Sequence, residues 1–241
     1  MTLDLAGKTA FITGSAKGIG ASIALFLAKQ GATIILHYLS SKKEAEETLQ
    51  KIQKHAPDSM IVQGNLTDSD EVDRLFLETF RRHPKIDILI NTVGPYVSKK
   101  SLDHTAQDYR EVIASNLLAP FYCVKKVLPG MLAFKGGKII NFGAIAPKEE
   151  LSSTPYYVAK EALWKLTRAW ASELSGRGVT VNMISMGTTE VSESIQGLPK
   201  NELKKREVVT LKEINQAVAH FLLPGNSQIT GFNVALKGEC A

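Results

Sequence analysis

Cysteine is nearly absent. The 241-residue chain has two, Cys123 in a helical pattern and Cys240 next to last, and neither sits in a C-x-x-C pair or a Cys/His cluster. A disulfide framework and a structural zinc site therefore have no basis. The five histidines (His37, His55, His83, His104 and His220) are scattered, with no two at ligand spacing, which argues against a catalytic metal. No apolar run approaches the ~20 residues that a bilayer span requires. The opening stretch Met1-Thr2-Leu3-Asp4-Leu5-Ala6-Gly7-Lys8 lacks the basic head, apolar stretch and small-residue cleavage site of a secretory signal. The expectation is a cytoplasmic protein with no membrane partner. Charge is not concentrated either. The net charge is +5, and the basic residues are dispersed apart from Lys99-Lys100, Lys125-Lys126 and Lys204-Lys205-Arg206. That is not the dense stripe of a nucleic-acid binder, and no nucleic-acid partner is expected.

What is present is alternation. Apolar, β-branched runs at 9–13, 33–37, 60–63, 86–90, 138–141, 180–184 and 233–236 are separated by amphipathic segments near 18–30, 42–55, 69–82, 106–132, 156–175 and 211–223. Strand alternating with helix predicts βαβ units. Right-handed crossovers then give an α/β Rossmann fold, a doubly wound parallel seven-stranded sheet with helices on both faces. With no internal repeat or linker, residues 1–241 are expected to form one domain. The least regular stretch, 187–205, follows the sixth strand. Open α/β sheets bind ligands at that carboxyl edge, so a substrate loop is expected there.

The first strand runs directly into Gly14-Ser15-Ala16-Lys17-Gly18-Ile19-Gly20, which opens a helix. Glycines permit a tight turn and a close approach, and free N–H groups at a helix start attract a pyrophosphate. Such a loop is informative only in this place, after the first strand and before the first helix. The second strand ends His37-Tyr38-Leu39-Ser40-Ser41-Lys42-Lys43, with no Asp or Glu to bind a ribose 2′-hydroxyl. Hydroxyls, lysines and Lys17 in the preceding loop suit a 2′-phosphate instead, which a carboxylate would repel. NADP(H) is the cofactor expected, with Gly14, Ser15, Ala16, Lys17, Gly18, Ile19, Gly20, His37, Tyr38, Ser40, Ser41 and Lys42 forming its pyrophosphate and adenosine side.

Further landmarks fall in order along the chain. They are Asn65-Leu66-Thr67-Asp68 after strand three, Asn91-Thr92-Val93-Gly94 after strand four, Asn116-Leu117, Tyr156-Tyr157-Val158-Ala159-Lys160, Val181-Asn182 and Ile229-Thr230-Gly231. With the glycine loop, these landmarks resemble the short-chain dehydrogenase/reductase family along nearly the whole chain, and the branch that includes 3-oxoacyl-carrier-protein reductases in particular. The resemblance implies that Asn65 and Leu66 contact the adenine. It further implies that Asn91, Thr92, Val93 and Gly94 back the cofactor, and that Gly187, Thr188 and Thr189 complete its site. A homotetramer or homodimer, with the helices near 106–132 and 156–175 between subunits, is implied as well. The plainer reading of Asn65 and Asn91 is strand-end turn chemistry, and of Asn116 a buried amide satisfying helix backbone.

Tyr156 and Lys160 are four apart and share one helix face. Thr154 is the expected N-cap, with Pro155 at the first helical position. Reduction of a carbonyl needs a proton donor beside it. A free phenol, with a pKa of ~10, holds its proton too tightly, and a neighbouring ammonium is expected to lower that value. Tyr156 is thus the candidate proton donor and Lys160 its activator. By resemblance, Lys160 also holds the nicotinamide ribose, and Asn116 positions a proton-relaying water. Tyr157 is the rival tyrosine, one residue short of a helical turn from Lys160.

The chain departs from the family pattern where a serine usually hydrogen-bonds the substrate oxygen. The segment reads Ile140-Asn141-Phe142-Gly143-Ala144-Ile145-Ala146-Pro147, leaving Gly143 or Ala144 in the serine's place. Ser152, Ser153 or Thr154 could substitute. Met186-Gly187 replaces Pro-Gly, Asn91-Thr92-Val93-Gly94 replaces Asn-Asn-Ala-Gly, and Leu236-Lys237-Gly238-Glu239 lacks the usual late acidic residue. The expected function is NADPH-dependent reduction of a small-molecule carbonyl, with a 3-oxoacyl thioester on an acidic acyl carrier protein as one candidate. Lys135 and Arg177 are the carrier-docking positions that the resemblance implies. The alternatives are a catalytically weak NADP(H)-binding regulatory or structural protein, and a reductase of a C=N or activated C=C substrate.

Overall fold

The computed structural model describes residues 3–145, 152–192, 195–199, 207–226 and 228–240. The chain runs β1 (Thr9–Thr13), α1 (Gly18–Lys29), β2 (Thr33–Tyr38), α2 (Lys42–Gln53), β3 (Met60–Gln63), α3 (Ser69–Arg82) and β4 (Ile88–Asn91). Then come α4 (Ala106–Ile113), a π-turn (Ala114–Leu118), α5 (Ala119–Ala133), β5 (Gly137–Ala144), α6 (Thr154–Glu173), β6 (Val179–Met186), β7 (Glu207–Val208), α7 (Leu211–Leu222), β8 (Asn233–Leu236) and β9 (Glu239–Cys240). Seven strands form one parallel sheet in the order β3-β2-β1-β4-β5-β6-β8. The expected doubly wound α/β sheet is present. The small antiparallel β7–β9 pair has no counterpart among the expected strands.

Both faces of the sheet are covered, which is why its strands read as near-continuous apolar runs. In β1, Ala10 and Ile12 join the core under α1 and α7, while Phe11 points into the core under α3 and α5. Phe11 stacks on Phe76 of α3 at 4.7 Å between ring centroids, and both are fully buried. Burying a side chain of this kind stabilises the fold by about 1.5–3 kcal/mol. The order of strands reverses between β1 and β4. The loops after those two strands therefore diverge at the carboxyl edge and leave a crevice between them.

Three local expectations change. The helix expected over 106–132 is interrupted by the π-turn that contains Asn116. Pro120 supplies the reason, since it has no N–H to give to the carbonyl four residues earlier. Strand five continues past Asn141 through Phe142, Gly143 and Ala144, held by eight register pairs with β6. Helix α6 starts one residue early: Ser153 is its N-cap, in a left-handed conformation (φ 56°), and Thr154 lies inside the first turn. Of the expected substrate loop, residues 193, 194 and 200–205 lie outside the described residues. Among the described residues, no helix is long and apolar enough to cross a membrane, and no group of three His, Cys, Asp or Glu side chains could hold a metal.

Candidate active site

The glycine loop turns sharply between β1 and α1. Gly18 has φ 60°, and a Cβ on Gly20 would lie 2.5 Å from the Gly14 carbonyl oxygen, so the helix can cross the loop only as glycine. Helix α1 has no side-chain cap and no acidic residue in its first turn. Its N–H groups and its positive dipole end are thus left for an anion. Lys17, at the N-cap position, is exposed, as are Ser40 and Lys42 at the end of β2. Lys42 also pairs with Glu46 at 3.9 Å. A polar hollow lined by Tyr38, Gln63, Gly64, Glu71 and Arg74 lies at the same end of the sheet.

Several expected cofactor residues are used within the fold. His37 is 2% exposed, with Nδ1 accepting from the Gly14 N–H (3.1 Å) and Nε2 paired with the Gly64 carbonyl (2.9 Å). Burial pushes its pKa down to about 4, so the ring is neutral and braces the loop from beneath. Ser15 is buried, donating to the Ile12 carbonyl and accepting from the His37 N–H. Asn91 donates to Asn141, which donates to Thr167 of α6 (2.8 and 2.9 Å). Thr189 is buried against Ser192. Asn65 Oδ1 accepts from the Thr67 N–H and hydroxyl, which is the strand-end turn chemistry its residue type favours. Leu66 and Ala16 are buried, while Ile19, Ser41, Thr92, Val93, Gly94, Gly187 and Thr188 are partly exposed. Thr92 donates to the Thr13 carbonyl, joining the two crevice loops.

The catalytic candidates meet at Gly94. A Cβ there would lie 2.2 Å from Asn116 Oδ1 and 2.8 Å from Lys160 Nζ, so only glycine leaves room. The π-turn brings Asn116 inward, where Nδ2 donates to the Pro95 and Val112 carbonyls (both 3.1 Å) while Oδ1 is buried without a partner. Lys160 is 5% exposed, and its amine makes no hydrogen bond or ion pair among the described residues. A buried amine and a buried carbonyl, both unpaired at the end of the loop crevice, fit ribose hydroxyls or a bridging water. The donor set from α1 to Lys160 accordingly suits a dinucleotide.

Tyr156 and Lys160 share one face of α6, with the amine 5.5 Å from the ring centroid. The expected lowering of the phenol does not occur. Burial, and secondarily the like charge of an ionised Tyr96, push Tyr156 up to about 12, and burial brings Lys160 down to about 8. The amine lies 5.5 Å from the ring centroid, and loss of water disfavours the charged form of both groups. Tyr96, which the sequence reading passed over, packs edge-on against Tyr156 (5.2 Å) and Tyr157 (6.4 Å). An aromatic residue two positions beyond Gly94 was the available signal. Gly143 and Ala144 differ in the room they leave for a side chain. A Cβ on Gly143 would lie 2.3 Å from Ser185 Oγ and 2.7 Å from Met183 Sδ, whereas Ala144 is partly exposed. Of the two, only Ala144 has room for a hydroxyl-bearing side chain without displacing Ser185 or Met183.

A Rossmann sheet, an uncapped helix start behind a glycine loop, and a Tyr–Lys pair above it define a dinucleotide-dependent oxidoreductase. The short chain dehydrogenase family matches residues 8–202, and the chain belongs to that family. Its relatives include a 3-oxoacyl-[acyl-carrier-protein] reductase of Staphylococcus aureus, 32% identical over 240 residues, covering 96% of this chain and 97% of the relative. A hydroxynaphthalene reductase-like protein of Metarhizium brunneum is 30% identical, with 98% and 95% covered. Among solved structures, an angucycline C-6 ketoreductase with bound NADP superposes with a TM-score of 0.88 at 28% identity, covering 98% of this chain and 96% of that one.

Proposed function

We propose that this chain binds NADP(H) and reduces a carbonyl to an alcohol, with Tyr156 as the proton donor. The observation that carries the reading is the convergence of Lys160 Nζ and Asn116 Oδ1 on Gly94, on the helix face that holds Tyr156. The absence of a carboxylate at the end of β2, together with exposed Lys17, supports NADP(H) over NAD(H). When bound, the cofactor supplies the electrons and hydrogen that reduce the carbonyl carbon. The chain does the rest. The α1 N-terminus would hold the pyrophosphate, Lys160 would hold the nicotinamide ribose, Asn116 would position a proton-relaying water beside it, and Tyr156 would give its proton to the substrate oxygen.

A 3-oxoacyl thioester is the substrate class that the reductase relative favours, carried by an acidic carrier protein. Lys135 and Arg177 are both exposed on adjacent turns, Gly178 packing against the Lys135 carbonyl. These turns precede β5 and β6, at the opposite end of the sheet from Tyr156. A carrier docked there serves a site only across a subunit boundary, so this role goes with the oligomer. The missing hydroxyl at Ala144 favours a second reading, a cofactor-binding protein with little turnover.

The test is NADPH oxidation against acetoacetyl N-acetylcysteamine thioester and a panel of ketones, with Tyr156→Phe as the control. Turnover that the Phe variant loses supports reduction. Binding of NADPH without turnover on any carbonyl supports the second reading.

A further inference from the structure

We infer that His37 is a positioning residue for the cofactor, its imidazole coupling the pyrophosphate turn at Gly14 to the adenine loop that begins at Gly64. This rests on the dinucleotide-binding reading above. It replaces the direct cofactor contact expected of His37 with an action from beneath, through the two loops.

The connection can be followed atom by atom. The Gly14 N–H is a donor, so Nδ1, 3.1 Å away, accepts and carries no proton. The proton of the neutral ring then sits on Nε2, which donates to the Gly64 carbonyl at 2.9 Å. The span needs one acceptor and one donor on opposite sides of a rigid group, and of the side chains only a neutral imidazole offers that. The backbone of the same residue fastens the turn as well. The Ser15 N–H donates to the His37 carbonyl at 2.9 Å, and the His37 N–H donates to Ser15 Oγ at 3.1 Å. Phe11 stacks on the ring, 6.4 Å between centroids, and the residue is 2% exposed.

Each end of this span leads to a part of the cofactor's site. Gly14 has φ 60°, and a Cβ on it would lie 2.9 Å from Val93 Cγ2, so the turn is also packed against the loop after β4. Without the ring, the part-buried Gly14 N–H loses its acceptor, and the turn is free to reorient towards another. At the other end, the Gly64 N–H donates to the Tyr38 carbonyl (3.2 Å), and the Asn65 N–H donates to Glu71 Oε2 (2.7 Å). Asn65 and Leu66 follow directly, the pair that the family resemblance places at the adenine.

A dinucleotide spans both loops and binds only when both are in place. If the loops are correctly placed together for a fraction of the time, the apparent affinity falls by that fraction. One buried ring bonded to both removes that loss before the cofactor arrives, which is preorganisation.

Calorimetry with NADP⁺, which needs neither substrate nor turnover, compares wild type with His37→Ala, His37→Asn and His37→Gln. Asn places an acceptor near the position of Nδ1, and Gln places a donor near that of Nε2, so each restores one of the two bonds. His37→Ala should weaken NADP⁺ about 10²-fold, and Asn and Gln about 10-fold each, one lost hydrogen bond apiece. Urea denaturation runs alongside. A merely structural role would lower the stability of the variants and leave the Kd of the folded protein unchanged. A second readout uses wild type alone. In ¹⁵N spectra of histidine-labelled protein, the His37 ring, assigned by through-bond correlation to its backbone, should be the Nε2–H tautomer. The Nδ1–H tautomer overturns the assignment whether or not any variant folds. Folded His37→Ala with a Kd within about threefold of wild type overturns it too, as do Asn and Gln variants that bind no more tightly than Ala. Wild type that binds no NADP⁺ overturns the cofactor reading, and the positioning role falls with it.

Discussion

The Gly14 N–H donates to Nδ1 of His37 at 3.1 Å, across the turn that would cradle a pyrophosphate. With Nε2 paired to the Gly64 carbonyl, the ring joins the ends of β1, β2 and β3, and it can do so only while Nδ1 is unprotonated. The folded pKa of about 4 lies below the ordinary 6.5, so the unfolded chain binds the proton first as pH falls. This stabilisation is fully present above pH ~6.5 and is lost progressively towards pH 4, up to about 3 kcal/mol. Urea denaturation between pH 7 and 4.5 should show the decline, and His37→Asn should flatten it. An equal slope in the variant would contradict the role.

The proposed preference for NADP(H) rests on Lys17 and on the lack of a carboxylate at the end of β2. Calorimetry should find NADPH bound more tightly than NADH. Lys17→Ala should weaken NADPH by about 10-fold, the size of one charge-assisted contact, and leave NADH nearly unchanged. Equal affinities for the two in wild type would contradict the pocket.

Serine introduced at the two candidate positions should behave oppositely. Ala144→Ser should fold normally and raise kcat/KM by about 10–100-fold if the protein is a weakened carbonyl reductase. Gly143→Ser should lose about 1–3 kcal/mol of stability, because its Cβ would be forced against Ser185 and Met183 of the neighbouring strand. Chemical denaturation and steady-state kinetics check both. Comparable stability in the two variants would show that the strand register differs from that described.

A dimer or tetramer is expected in solution. Leu118 (38%) and Val158 (50%) are exposed on the π-turn and α6, which pack together, and Phe121 stacks with Trp170 at 6.4 Å on α5 and α6. Light scattering at micromolar concentration should report the oligomer, and Leu118→Glu with Val158→Glu should dissociate it without changing the circular dichroism. A monomeric wild type would exclude the interface.

The alternation of apolar runs and amphipathic stretches is a local property, and it was enough to read every strand of the parallel sheet. The glycine loop and the Tyr156–Lys160 pair were legible for the same reason, because a turn and an i,i+4 spacing depend only on neighbours in the chain. The π-turn at Asn116 was foreshadowed only by Pro120. Other features required the tertiary structure. Whether Gly143 or Ala144 holds the serine position depends on which face of β5 meets Ser185, which is a matter of strand pairing. His37 braces the loop because β3 ends beside it at Gly64. The phenol of Tyr156 is pushed up rather than down because of burial, which no spacing encodes. Tyr96 reaches Tyr156 across 60 residues of chain because Asn116 and Ser153 hold its loop in place. Sidedness, burial and cross-strand contact come from packing distant segments together, and at this site they decide which groups carry charge and which can donate.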